Sequence, residues 1–210
     1  MGQNKNTHTI LFFVLTFLWT WVCYGTIILL RLNPYSGAGM PLLILGGCSP
    51  TFVGCILAIT TYPKGERGEF FKHIYQLRRI RLDGWLIILL LFPAVSVVSI
   101  GIDLLLGGTL PQMTNLRAVI AFPPTIVPLL LLSFFSGPFS EEIGWRGFAL
   151  DPLMRRFGFT GAFVLLGLIW GVWHLPLYCM PQTWHGKMGF ALAGFPMFLL
   201  LSVGLCGIMS

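Results

Sequence analysis

The chain has 210 residues, of which 56% are hydrophobic and only 10% are charged. Soluble domains carry about 25% charged residues, so this composition excludes an ordinary soluble protein and predicts a polytopic membrane protein. The formal net charge of +6 does not indicate nucleic acid as a partner, because Lys and Arg mark the cytoplasmic side of membrane proteins. At this length we expect one domain, residues 1–210, embedded in the lipid bilayer.

Six apolar stretches approach or reach the ~20 helical residues that cross a bilayer. They are Ile10–Leu30, Pro41–Thr61, Trp85–Leu106, Val119–Phe135, Phe159–Cys179 and Gly189–Ser210. We therefore expect an all-α, polytopic bundle of about six transmembrane helices. Residues 62–84 mix basic and apolar side chains at helical spacing. This pattern favours an amphipathic segment on the cytoplasmic face over a solvated loop.

The basic residues predict the orientation of the bundle. If the N-terminus is cytoplasmic, ten Lys and Arg residues fall on the cytoplasmic side, and only Arg31, Arg117 and Lys187 fall on the other. This asymmetry follows the positive-inside rule. We therefore predict a multi-pass protein with a cytoplasmic N-terminus.

The segment from Glu141 to Arg146, EEIGWR, places three ionisable groups within six residues of an apolar chain. Such groups cost at least a few kcal/mol each at membrane depth and are usually functional there. On a helix, Glu142 and Arg146 are i,i+4 neighbours and can neutralise each other. A structural ion pair is the simpler explanation for these two. Glu141 has no such partner nearby in sequence. Burying an unpaired carboxylate costs free energy, so its presence in an apolar segment indicates a function.

The segment from Glu141 to His174 is predicted to form a helical hairpin. Phe157 and Gly158 lie at its midpoint, since Glu141 comes 16 residues before Phe157 and His174 comes 16 residues after Gly158. Residues equidistant from the turn of an antiparallel hairpin lie at the same depth. We therefore expect Glu141 and His174 to face each other inside the bundle. Asp151-Pro152 is expected to break or restart the first helix.

The second arm of this hairpin carries small residues on the helix face that also carries His174. Gly167-x-x-x-Gly171 removes side chains and lets another helix come close. Gly144 and Gly147 can do the same on the first arm. Pro176 should kink the second helix just after His174.

A carboxylate and an imidazole that face each other in a membrane can activate a water molecule. Glu141 could act as the general base, or both side chains could hold a metal ion. His174 could instead orient the water or stabilise an oxyanion. A lone His174 would more often be a structural core residue. The usual purpose of such a pair is attack on a peptide or ester carbonyl.

Two motifs here resemble those of the CAAX prenyl protease and bacteriocin-processing family, also labelled Abi or CPBP. Its E-E-x-x-x-R motif is matched by Glu141, Glu142 and Arg146, and its F-x-x-x-H motif is matched from Trp170 to His174 with Trp in the first place. The resemblance implies an intramembrane endopeptidase with about eight helices in its complete fold. It implies that Glu141 activates the water, that His174 assists or binds a metal, and that Glu142, Arg146 and Trp170 support the site. Zinc-dependent and metal-independent glutamic mechanisms both fit this chemistry.

The resemblance is firm over residues 130–176 and departs from the family afterwards. The expected third motif, H-x-x-x-N or H-x-x-x-D, is absent, because His185 precedes Gly-Lys-Met-Gly and falls in a predicted extracellular loop. We therefore expect a truncated member that lacks a third metal ligand, and a poor protease or none.

The sequence is compatible with three functions. The first is an endopeptidase acting on a peptide or protein substrate in the bacterial plasma membrane. The second is an inactive member that serves as a membrane immunity or partner-binding protein. A transporter is the third, although it would spread polar residues over several helices. The substrate's identity and the oligomeric state are not specified.

Overall fold

The structure is a computed structural model that describes residues 2–74, 82–136 and 138–209. Its elements are helices, and no β-strand occurs among the described residues. The predicted all-α class is therefore confirmed. The chain divides into two compact units, one formed by Met1–Phe70 with Ser133–Ser210 and the other by Phe71–Leu132. All candidate site residues belong to the first unit.

The first unit begins with three apolar helices and most of a charged fourth helix, whose last residues belong to the second unit. They are α1 (Gly2–Leu29), α2 (Gly39–Gly47), α3 (Ser49–Thr61) and α4 (Lys64–Ile74). Helices α2 and α3 are bent by 48° at the break between them. Helix α4 overlaps the predicted amphipathic segment 62–84, of which residues 75–81 lie outside the described residues. The cytoplasmic placement of that segment stays a prediction.

The second unit consists of helices and one tight turn. They are α5 (Leu82–Leu105), α6 (Thr114–Ala121), the 3₁₀ turn Pro123–Thr125 and α7 (Ile126–Ser136), whose last residues belong to the first unit. Proline lacks a backbone N–H, so the consecutive prolines of the turn separate α6 from α7.

The predicted hairpin is present in the first unit. Its elements are α8 (Pro138–Glu142), the π-helical segment Ile143–Leu150, α9 (Asp151–Trp173) and the 3₁₀ turn Leu175–Cys179. The rings of Trp145 and Trp173 lie 5.8 Å apart, although a straight helix would separate them by ~42 Å. The chain therefore reverses between them. The reversal is at Gly158, where φ is 70° and ψ is 176°, a backbone conformation that favours glycine.

The α-helix restarts at Asp151 after the π-helical segment, but the backbone stays helical through Leu150 and Asp151, and Asp151 is not an N-cap. Pro152 lies in the first turn of α9, where its missing N–H costs nothing. Pro176 follows the end of α9 and lies in the 3₁₀ turn. Helices α10 (Trp184–Met188) and α11 (Phe195–Met209) complete the described chain.

The small-residue face of α9 approaches α11 rather than the first arm of the hairpin. A methyl group at Gly167 would lie 2.5 Å from Val203 Cα, and one at Gly171 would lie 2.6 Å from Leu199 Cδ2. Gly144 of the first arm instead packs against the backbone of Pro50 in α3. The close approach was predicted correctly, but the suggested partner was wrong.

Replacing Gly167 with Ala should therefore lower the free energy of unfolding by about 1–3 kcal/mol, because the added methyl overpacks a backbone contact. Thermal unfolding in detergent would measure the change. Gly204→Ala in α11 is the matched control, since a methyl group there meets nothing within 4 Å. Equal melting temperatures for the two variants would contradict the packing of α9 on α11.

The described helices support a membrane location. The stretches Thr7–Leu29 and Phe139–Cys179 are long and apolar enough to cross a membrane, and the bent pair α2–α3 would be a third such span. Large apolar side chains face outward from α1, including Val22 at 65% and Leu29 at 82% exposure. Such a surface suits lipid rather than water. The chain is thus a membrane protein, while the number of six spans and the single domain stay predictions.

A buried polar cluster fixes the end of α9 against α1 and α3. The indole N–H of Trp173 donates to Thr20 Oγ1 at 2.8 Å. Thr20 also bonds the Gly46 carbonyl at 2.8 Å and Ser49 Oγ at 2.5 Å. Because these groups satisfy one another away from water, they hold the residue before His174 in one place.

Candidate active site

Glu141 lies in α8 and is held by a residue of the opposite hairpin arm. The indole N–H of Trp170 donates to Glu141 Oε2 at 2.7 Å. Glu141 was expected to have no ion-pair partner nearby in sequence, and the partner it has is the indole of Trp170, 29 residues away. Its other carboxylate oxygen has no hydrogen-bond partner among the described residues. One oxygen is positioned and the other remains available.

Glu142 and Arg146 form the predicted i,i+4 pair, with 2.9 Å between Arg146 Nη1 and Glu142 Oε1. The guanidinium also lies 5.2 Å from the centre of the Trp170 ring, and its Nη2 contacts Cys206 Sγ at 3.2 Å. The two adjacent glutamates thus have different partners. Glu142 faces a cation, and Glu141 faces a neutral indole.

His174 follows the last residue of α9 and is 8% exposed. Its Nδ1 lies 2.8 Å from the Trp170 carbonyl oxygen. A carbonyl oxygen only accepts, so Nδ1 carries the proton and donates. In the neutral ring, Nε2 is then a hydrogen-bond acceptor. The ring also packs edge-on against Trp170 at 5.2 Å and Trp173 at 4.7 Å.

Trp170 is the residue that Glu141 and His174 share. Its indole N–H bonds the carboxylate, and its carbonyl and ring contact the imidazole. The hairpin therefore brings the two predicted catalytic residues to one tryptophan. No hydrogen bond joins them directly in the described part of the chain.

His185 lies beside His174, a placement that the sequence did not predict. It was assigned to a loop apart from the site, but α10 places its ring 5.4 Å from that of His174, at an interplanar angle of 30°. Burial lowers the pKa of His185 to about 4, so this imidazole is neutral at pH 7. His185 follows His174 by only eleven residues, and this short separation could have indicated that the two side chains lie close together. His185 was excluded because it is not followed by the expected H-x-x-x-N pattern.

The described side chains near Glu141 and His174 offer few ligands for zinc. A catalytic zinc site has three protein ligands and an open position. No group of three or more His, Cys, Asp or Glu side chains comes together to hold a metal among the residues that the structure describes. Glu141 and His174 supply two possible ligands and His185 does not complete a set with them. We therefore derive no reaction step through a metal ion.

Similarity to known proteins agrees with this arrangement. Residues 123–209 match the family described as type II CAAX prenyl endopeptidase Rce1-like. CAAX prenyl protease 2 of Methanococcus maripaludis is 29% identical to this chain over 203 residues, which cover 91% of this chain and 74% of that protein. The chain is therefore similar to the CAAX prenyl proteases. Both sequence motifs lie within the matched residues 123–209, as do His185 and α11.

Proposed function

We propose that this chain is an intramembrane endopeptidase in which Glu141 activates a water molecule for attack on a peptide bond near the membrane. The observation that carries the proposal is the state of the Glu141 carboxylate. Trp170 holds one oxygen at 2.7 Å, and the other has no partner among the described residues. Arg146 meanwhile neutralises the adjacent Glu142. The similarity to CAAX prenyl proteases supports the same activity.

In the proposed reaction, Glu141 accepts a proton as the water oxygen bonds to the carbonyl carbon of the peptide. The π electrons of the carbonyl move to its oxygen and form an oxyanion. When this intermediate collapses, the C–N bond breaks and the amine takes the proton from Glu141. The products are a carboxylic acid and an amine, so one water is consumed for each bond cut. His174 would orient the water through its accepting Nε2.

We propose that the substrates are proteins at the membrane that carry a prenylated C-terminal segment, because the named relative is a CAAX prenyl protease. Peptide leaders of bacteriocin type are the second substrate class to test. We also propose the bacterial plasma membrane as the location, with the N-terminus cytoplasmic. The ten basic residues assigned to that side support this orientation.

The test uses the purified chain in detergent or liposomes. It would be incubated with a prenylated peptide, the same peptide without the prenyl group, and a set of leader peptides, with products identified by mass spectrometry. Slow cleavage of the prenylated peptide is the expected result, in keeping with the expectation of a poor protease. Cleavage of no peptide would contradict the proposal and favour the inactive, partner-binding alternative.

A chelator should leave this cleavage unchanged, because no set of three metal-ligating side chains is found among the described residues. The measurement is kcat before and after dialysis against a zinc chelator, with a known zinc protease as the positive control. If cleavage were lost and zinc restored it, a metal mechanism through Glu141 and His174 would replace the metal-free one.

A further inference from the structure

The hairpin reverses at residues 155–159, whose sequence is RRFGF; we call this segment the hairpin tip. We propose that the hairpin tip binds the headgroups of anionic phospholipids. The guanidinium groups of its two arginines contact lipid phosphates, and its two phenyl rings enter the apolar layer next to them. Lipid binding at the tip is independent of the proposed peptidase activity, because Glu141 and His174 lie at the other end of the hairpin arms.

The turn at Gly158 leaves both neighbouring phenyl rings outside the protein. Phe157 is 47% exposed and Phe159 is 53% exposed. A methyl group added at Gly158 would meet nothing within 4 Å, so the space beside the turn is open. Further along α9, Leu168 also faces outward at 43% exposure. Adjoining exposed apolar side chains mark a surface for a membrane or a partner, and here they continue the outward apolar face of a membrane-spanning segment.

The two arginines of the hairpin tip have no acidic partner. Both side chains are exposed, and neither makes an ion pair or a hydrogen bond among the described residues. Asp151 lies one helical turn before Arg155, but no ion pair joins the two in that part of the chain. The guanidinium of Arg156 lies 5.1 Å from the centre of the Phe157 ring. The N–H donors of both guanidinium groups are therefore available to an anion.

A phospholipid phosphate is the anion that fits this position. The hairpin tip interrupts the apolar stretch Phe139–Cys179, which is long enough to cross a membrane. Two guanidinium groups are costly within hydrocarbon, so the tip lies at the membrane surface, where the phosphates are. The planar fork of a guanidinium matches two phosphate oxygens. The positive-inside rule also assigns the tip to the cytoplasmic leaflet, which is rich in anionic lipids.

The experiment measures binding to the purified full chain in detergent by microscale thermophoresis. The probes are dioleoyl phosphatidylglycerol, which is anionic, dioleoyl phosphatidylcholine, which is zwitterionic, and soluble glycerol phosphate. Each basic residue near an anionic lipid surface contributes about fivefold in affinity. The wild-type chain should therefore bind phosphatidylglycerol about tenfold or more tightly than phosphatidylcholine, and glycerol phosphate more weakly than either lipid.

The double variant Arg155→Gln with Arg156→Gln should bind phosphatidylglycerol about 10–30-fold more weakly than the wild-type chain. Its affinity for phosphatidylcholine should be unchanged. Arg117→Gln with Lys187→Gln is the matched control, since it removes the same charge from two exposed positions that are predicted to lie on the other side of the membrane. This control should keep the wild-type preference for phosphatidylglycerol.

Raising the salt concentration tests the wild-type chain without any substitution. The Debye length falls from about 8 Å at physiological ionic strength to about 3 Å at 1 M salt. The preference for phosphatidylglycerol should therefore largely disappear at the higher concentration. Phe157→Ser with Phe159→Ser should weaken the binding of both lipids alike, because both lipids present the same apolar layer to the phenyl rings.

Four results would overturn the assignment. They are equal affinity of the wild-type chain for the two lipids, glycerol phosphate binding as tight as that of phosphatidylglycerol, an unchanged affinity in the double arginine variant, and an equal loss in the control variant. If the double arginine variant melts earlier than the wild-type chain in lipid-free detergent, the salt dependence of the wild-type chain decides. No readout involves peptide cleavage, so a failure of the proposed endopeptidase would leave lipid binding at the hairpin tip standing.

Discussion

Replacing Glu141 with Gln should lower kcat by about 10²–10⁴-fold, the usual contribution of a general base. The amide oxygen of Gln can still accept the hydrogen bond that Trp170 donates to Glu141 Oε2 at 2.7 Å. The hairpin contact should therefore survive. An amide cannot take a proton from water at neutral pH, so only the chemistry should be lost.

Steady-state kinetics on a cleaved peptide, together with the melting temperature in detergent, would measure both effects. Glu142→Gln is the matched control, because it makes the same chemical change one residue away. Its amide oxygen can still accept from Arg146, so most activity should remain. If Glu142→Gln abolishes cleavage and Glu141→Gln does not, the roles assigned to the two glutamates are reversed.

The local features of the hairpin could be predicted from the sequence because they depend on short spacings. The Glu142–Arg146 pair follows from the i,i+4 geometry of a helix, and the observed distance of 2.9 Å agrees with it. The reversal at Gly158 follows from its place between two apolar arms. Trp170 was expected to support the site, and its bond to Glu141 gives that expectation a physical basis. Its role in catalysis stays a prediction.

Contacts between distant segments could not be predicted in the same way. In a membrane, lipid is as apolar as a neighbouring helix, so an apolar pattern does not say which helix lies beside which. For this reason the Gly167 face was expected to meet the first arm, whereas it meets α11. His185 was missed for a related reason, since hydropathy placed its segment outside the membrane but gave no lateral position. The contact with His174 depends on the turn at Leu175–Cys179 and on α10, which are too short to show a periodic pattern.

Arg146→Met should lower the free energy of unfolding by about 3 kcal/mol. The arginine side chain is only 11% exposed, and its loss leaves the Glu142 carboxylate without a counter-charge. Removing one partner of a buried pair typically costs 3–5 kcal/mol. Because the Glu142 side chain is 28% exposed, we expect a loss at the lower end of this range. Met is chosen because it keeps an apolar stem against Trp170.

The double variant Arg146→Met with Glu142→Gln should recover most of that loss, because it removes the unpaired charge together with its partner. Unfolding of the wild-type chain, both single variants and the double variant in mixed detergent would complete the cycle. A double variant as unstable as Arg146→Met would contradict the charge explanation. Arg146 would then stabilise the fold through its contacts with Cys206 and Trp170. Recovery in the double variant would instead support pairing with Glu142 as the main role of Arg146, which leaves the Glu141 carboxylate for the water.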